Sequence, residues 1–285
     1  MGIVIRDSKL LCCKGSGEFN EDVAGISRYG AWVLDGATGL NNKKIVSDES
    51  DAKWYVDWWN NYLSQNIDKE FSLKDILYNG IDSVTREYKN TVGNTKVDKL
   101  DIPSCSIVII KYYKDKLEYL VLGDCTLLTK VNNNYNYIKD ESVCKLDEVV
   151  FNSIKNIENI NELSLLDKKN KVLPVIIENR LKKNSKEGYW ILEFNKDAVD
   201  NAIHGFIDVK DEISIVLASD GFSCAFDRYN LVNKKDVFSI VKNKGIDYIY
   251  SKIRDLERED LNGIVYPRFK VSDDSTCVYL NLYNI

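Results

Sequence analysis

The stretch Trp32-Val33-Leu34-Asp35-Gly36-Ala37-Thr38-Gly39 constrains this chain more than any other. A short apolar strand runs directly into an acidic residue and a glycine. The apolar residues need a core, and the carboxylate is left at the strand's end. A glycine there lets the backbone lie close against a ligand. A carboxylate beside an open carbonyl suits a hard divalent cation, which prefers oxygen ligands. Asp-Gly is also an ordinary turn, so its weight comes from recurrence.

The pattern recurs three times. Ile215-Val216-Leu217-Ala218-Ser219-Asp220-Gly221 is a second apolar run ending in Asp-Gly. Asp273-Asp274-Ser275-Thr276 precedes the apolar run Cys277-Val278-Tyr279-Leu280, and Tyr119-Leu120-Val121-Leu122-Gly123 leads into Asp124. Acidic residues so far apart in sequence can meet only through the fold. A cluster of carboxylates repels itself unless cations hold it.

The 285 residues suffice for one large domain or two small ones. Net charge is −5, which argues against a nucleic-acid footprint. No apolar run approaches the roughly 18 residues of a membrane span. No basic start followed by an apolar run marks a secretory signal. The seven cysteines form no Cys-x-x-Cys pair, and Cys105, Cys125 and Cys277 sit in or beside apolar runs, so reduced cytoplasmic thiols are expected. The single histidine, His204, disfavours a histidine-rich metal site or a Ser-His-Asp triad.

Short strands are expected at 3–5 and 10–13, then a hairpin over 23–27 and 31–35. Antiparallel pairing would bring Glu21-Asp22 beside Asp35. Apolar residues at helical spacing predict amphipathic helices over 49–65 and 73–89, the second capped by Ser72 with Asp75 three residues on. Trp54, Trp58 and Trp59 read as a helix face packed on the core rather than a ligand platform. Strands at 104–112, 117–122, 125–130 and 135–138 read as a meander in a mainly antiparallel sheet. The polar stretch 139–187, with helices near 145–157 and 172–183, reads equally as a flap over the site or as a solvated insertion. Further strands are expected at 189–194, 212–219 and 275–283, with helices at 236–243 and 246–256.

Taken in order, Asn20-Glu21-Asp22, Asp35-Gly36 followed by Gly39, Gly123-Asp124, Ser219-Asp220-Gly221 and Asp273-Asp274-Ser275-Thr276 resemble the motif set of the protein phosphatase 2C family, metal-dependent Ser/Thr phosphatases, in a bacterial-type form. The resemblance covers about residues 1–130 and 189–285. It implies an α+β fold, a four-layer α-β-β-α sandwich with two mainly antiparallel sheets, in a single domain over 1–285. It also implies two or three Mn²⁺ or Mg²⁺ ions. Asp35 would bridge two of them and the Gly36 carbonyl would bind the first. Asp220 and Asp273 would hold the second, and Asp124 with Asp220 a third. Glu21 and Asp22 would act through metal-bound waters. The implied reaction is direct attack of a metal-bridging water on a phosphoserine or phosphothreonine monoester, with no phosphoenzyme.

Three positions depart from the family pattern. Gly17 stands where an arginine usually grips phosphate, Ala37 where eukaryotic members carry a histidine, and Asp273-Asp274 where Asp-Asn is usual. Lys14 and Arg6 read as surface charges rather than replacements for the arginine, and His204 as a structural or surface residue. The leading expectation is a cytoplasmic, monomeric phosphoprotein phosphatase with no membrane or nucleic-acid partner. The alternatives are a phosphatase of a small phosphorylated molecule and a binding module without turnover.

Overall fold

The computed structural model describes residues 2–41, 43–155, 157 and 159–285. Two five-stranded antiparallel sheets pack face to face. The first takes its strands from β2 (Asp22–Ile26), β3 (Gly30–Ala37), β4 (Ser104–Tyr113), β5 (Lys116–Leu122) and β8 (Ile203–Asp208), in the order β2-β3-β4-β5-β8. The second has the order β1-β10-β9-β6-β7, from β1 (Ile3–Cys13), β6 (Thr126–Val131), β7 (Asn134–Lys139), β9 (Glu212–Ala218) and β10 (Ser275–Asn284). The strand interiors are near-continuous apolar runs because both faces of each sheet are covered. Val33, Val108 and Val121 meet Leu127, Leu217 and Leu280 between the sheets.

The outer face of the first sheet buries α1 (Asp51–Asn66) and α2 (Leu73–Val92), through Tyr55, Trp59, Leu77 and Val84. Trp59 is buried, whereas Trp54 and Trp58 pack partly buried against the same cluster. Ser72 caps α2 by accepting from the Asp75 amide at 3.1 Å, and its hydroxyl donates to the Asp75 carboxylate at 2.6 Å. The outer face of the second sheet carries α6 (Asp220–Asp227), α7 (Val237–Lys244) and α8 (Ile246–Glu259), packed through Phe222, Val241 and Ile253. The result is the expected α-β-β-α sandwich. Among the described residues, no helix is long and apolar enough to cross a membrane.

Five details differ from the sequence reading. The strands at 3–5 and 10–13 are one strand, broken only by a register irregularity between Ile5 and Asp7. The meander is interrupted: β5 lies in the first sheet and β6 in the second. The chain changes sheet at Gly123, whose φ of +72° is a conformation glycine adopts without penalty. The run 189–194 is not a strand, although Leu192 makes an isolated bridge to Cys105. Finally, α6 begins at Asp220, and 203–208 forms the edge strand β8.

Two more helices, α3 (Glu141–Lys155) and α4 (Leu165–Leu181), lie in the stretch 139–187. They share a small core of Val150, Ile154 and Val172, with Phe269 packed against it. The short α5 (Asp197–Asp200) follows.

Candidate active site

The local fold at each motif brings the carboxylates together. Register pairs Asp35 of β3 with Asp22 on one side and Ser106 on the other. Ser106 Oγ donates to Asp124 Oδ1 at 2.6 Å, so the turn after β5 is tied beside Asp35. Asp220 sits in the first turn of α6, against the loop that carries Asp273. A Cβ on Gly221 would lie 1.9 Å from the Asp274 carbonyl oxygen, so only glycine permits this approach. Asp273 is fixed through its backbone, whose carbonyl accepts from Arg254 Nη2 at 2.6 Å.

Asp274 ties the last motif to the first. Its Oδ1 accepts from the Gly15 amide and its Oδ2 from the Glu21 amide, both at 2.7 Å. Glu21 is then held from three sides. Its carbonyl accepts from the Gly36 amide at 3.0 Å, and its carboxylate accepts from the hydroxyls of Ser50 and Thr38. Ser50 is also the N-cap of α1.

Asp35, Asp124, Asp220 and Asp273 all line one cavity of about 320 Å³. Glu21, Asp22 and Gly36 do not line it, although Asp22 lies opposite Asp35 in register and the Glu21 carbonyl is bonded to the Gly36 amide. The electrostatics report the crowding. Burial and then the charges of Asp22, Asp220, Asp124 and Asp273 push the Asp35 carboxyl well above the ordinary range. Burial, Asp273 and Asp124 raise Asp220 to about 7. Burial also raises Asp22, which leaves its Oδ2 buried without a hydrogen bond among the described residues. Such a donor set, all hard oxygen and self-repelling, fits a divalent cation in chemistry and charge. Among the described residues, no three His, Cys, Asp or Glu side chains are already gathered into a ligand group. Instead Lys270 Nζ pairs with Asp273 Oδ1 at 2.8 Å. Burial works against that ammonium, but Asp273, Asp35 and Asp220 outweigh it and raise its pKa.

The opposite wall comes from the stretch 139–187, which reads in sequence as either a flap over the site or a solvated insertion. Helices α3 and α4 roof the cavity with Val143, Leu146, Phe151 and Ile176, and bring Asp147, Lys169 and Arg180 to it. Arg228, Arg268 and Lys270 complete the basic lining. Neither Gly17, Lys14 nor Arg6 lines the cavity; Lys14 instead donates to the Glu18 carbonyl at 3.2 Å. Nor does His204. Its Nε2 is 2.9 Å from Glu118 Oε1 on the outer face of the first sheet, where Glu118 also accepts from the Leu73 amide. These lining cations carry no motif: each lies in a segment that reads as ordinary charged surface.

No family model and no curated protein matches the chain. Solved structures do share its architecture. The Mycobacterium tuberculosis serine/threonine phosphatase PstP/Ppp aligns with a TM-score of 0.57 at 12% identity, over 98% of each chain. The PstP catalytic domain in complex with two manganese ions aligns with a TM-score of 0.54 at 11% identity, over 98% of this chain and 99% of that one. The PPM Ser-Thr phosphatase MsPP from Mycobacterium smegmatis, in complex with cacodylate, gives 0.54 at 11% identity over 99% of each. The chain therefore has the fold of the bacterial PPM-type Ser/Thr phosphatases. At these identities the likeness is one of fold.

Proposed function

We propose that this protein is a metal-dependent phosphomonoester hydrolase acting on phosphoserine and phosphothreonine in proteins. The observation that carries the reading is the convergence of Asp35, Asp124, Asp220 and Asp273, from four separated strand ends, on one cavity that also has a basic lining. Two or three Mn²⁺ or Mg²⁺ ions would be held by these carboxylates. Bound there, they would supply positive charge against the phosphate and an acidified water as nucleophile.

The chain's own residues do the rest. Asp274 and Arg254 hold the loop that carries Asp273. Ser106 orients Asp124. Ser50 and Thr38 fix Glu21, which with Asp22 supports the Asp35 strand end. Lys270 pairs with Asp273, a contact that a cation held by that carboxylate would replace. The buried thiols Cys105 and Cys125 have their pKa values pushed up by burial, so neither is a ready nucleophile. All seven cysteines are free, which fits action in the reducing cytoplasm.

A second reading has its own support. The cavity is roofed by α3 and α4 and partly apolar, dimensions that suit a small phosphorylated molecule. Hydrolysis of p-nitrophenyl phosphate with and without Mn²⁺, followed by phosphoserine peptides and small phosphate esters, tests both. Mn²⁺-dependent turnover of peptides is expected. Turnover of small esters alone would favour the second reading, and no turnover of any ester would leave a binding module.

A further inference from the structure

The five basic side chains that line the cavity differ in what they are already doing. Arg268 is spent on the carbonyls of Glu257, Asp260, Tyr266 and Val271 and on the Asp260 carboxylate. Arg180 Nη1 donates to the Thr38 carbonyl at 3.1 Å, and Lys270 pairs with Asp273. Lys169 and Arg228 make no side-chain hydrogen bond or ion pair with any described residue. Burial, Lys270 and Arg180 lower the Lys169 pKa, so its charge is the less secure of the two. Burial opposes the Arg228 charge as well, but Asp220 and other acidic neighbours, Asp147 among them, more than offset it.

Arg228 is also held in place. It follows α6, whose last residue, Asp227, accepts from the Tyr137 hydroxyl at 3.1 Å and from Lys139 Nζ at 3.0 Å. The Arg228 amide donates to the Cys224 carbonyl at 3.1 Å. The guanidinium lies 5.7 Å from the centre of the Phe151 ring, which stacks on Phe269. It therefore stands at the junction of the carboxylate wall and the roof, with its five N–H donors unspent. Asp220 and Asp147 are near enough to favour its charge, yet neither accepts a hydrogen bond from it. Those donors line the cavity and are open to an acceptor that enters it. A planar fork of this kind matches two oxygens of a tetrahedral oxyanion.

We infer that Arg228 is the oxyanion-binding residue of the cavity and grips two non-bridging oxygens of the phosphate group. The assignment of the anion as a substrate phosphate rests on the phosphatase reading, whereas the binding site itself does not.

The test is calorimetric titration of inorganic phosphate into the full chain in saturating Mn²⁺, with Mn²⁺ titrated separately, for the parent, Arg228→Gln and Arg228→Lys. Phosphate affinity should fall about 10- to 100-fold in Arg228→Gln, the size of a lost charge-assisted pair. Arg228→Lys should fall in between, because an ammonium restores charge without the fork. Mn²⁺ affinity should hold or tighten, since a cation beside the carboxylates has been removed. The inference is overturned if folded Arg228→Gln binds phosphate within about twofold of the parent, or if Arg228→Lys restores it fully. It is equally overturned if Mn²⁺ affinity falls in step with phosphate affinity, or if the parent binds no phosphate. Should Arg228→Gln fail to fold, Arg228→Lys alone decides by the same criterion. Phosphate binding lost as expected, with no ester turnover in the parent, would sustain Arg228 and reject the phosphatase reading.

Discussion

The two walls of the cavity are built differently. The carboxylate wall stands on strand ends from both sheets. Its members are fixed by ladder register, by Ser106 on Asp124, and by the two amides that Asp274 accepts. The roof stands on α3 and α4, which have a small core of their own and a few polar ties outward. Those ties include Arg180 to the Thr38 carbonyl, Lys99 to the Leu181 carbonyl at 2.7 Å, and Lys168 to the Asn262 carbonyl at 2.7 Å. A wall held by the central sheets opens only with global unfolding, whereas a roof with few buried contacts can open locally. Chemistry that needs fixed geometry belongs on the first. Adaptation to different occupants of the cavity belongs on the second.

The largest effect should come from the rigid wall. Asp35→Asn removes the carboxylate that faces all the others, and Mn²⁺-dependent hydrolysis should fall about 10³-fold or more. The same change relieves repulsion, so the metal-free protein should be no less stable, and more stable near neutral pH. Initial rates and urea midpoints in chelator check both halves. Activity within about tenfold of the parent would deny Asp35 a central role.

The contrast between the walls also explains what the sequence discloses. Asp35, Asp220 and Asp273 are legible because a carboxylate at either end of an apolar run can be read without tertiary knowledge. The helices α1 and α2 are legible for a related reason, since their apolar residues recur at helical spacing. The sheet change at Gly123 is not, because β5 and β6 look alike from either side of the turn. The run Tyr189-Trp190-Ile191-Leu192 has strand composition, but it makes only isolated bridges: Trp190 and Leu192 pack into the cluster beneath α1 and α2, whereas Tyr189 and Ile191 line the cavity. Edge strand β8 mixes half-exposed Ile203, His204 and Gly205, so no clear alternation marks it. Arg228 and Lys169 acquire meaning only from where α6 and α4 place them.

A smaller effect should follow from loosening the wall at its tie. Asp274 accepts two amide hydrogens, and an asparagine there can accept only one while turning its own NH₂ on the other. Asp274→Asn should therefore lower stability by about 1–2 kcal/mol. It should lower activity by less than Asp35→Asn does, because it displaces Glu21 and Asp273 rather than removing a carboxylate from the cavity. Urea unfolding in chelator gives the first number and rates in excess Mn²⁺ the second. An unchanged midpoint would show that Asp274 does not join the two motifs.

The smallest effect concerns the roof. Asp147 reaches the cavity from α3, and burial, with Asp124 adding to it, raises its carboxyl to about 6 despite Arg228, Lys139 and Arg180. A folded-state pKa above the unfolded value of 3.8 favours the protonated native form. The stability this gives is present below about pH 4 and is lost as pH rises through 6. In the metal-free protein, Asp147→Asn should therefore be more stable than the parent at pH 8 and equal to it below pH 4. Where the gain appears tests the roof's independence. If α3 and α4 open together while the sheets stay closed, opening frees Asp147 from its penalty without unfolding the protein. Hydrogen exchange corrected for intrinsic rate should then slow in α3 of Asp147→Asn at pH 8, with the β3 and β4 amides unchanged. Equal protection in parent and mutant across α3, with the whole gain in global unfolding, would show that roof and wall open as one unit.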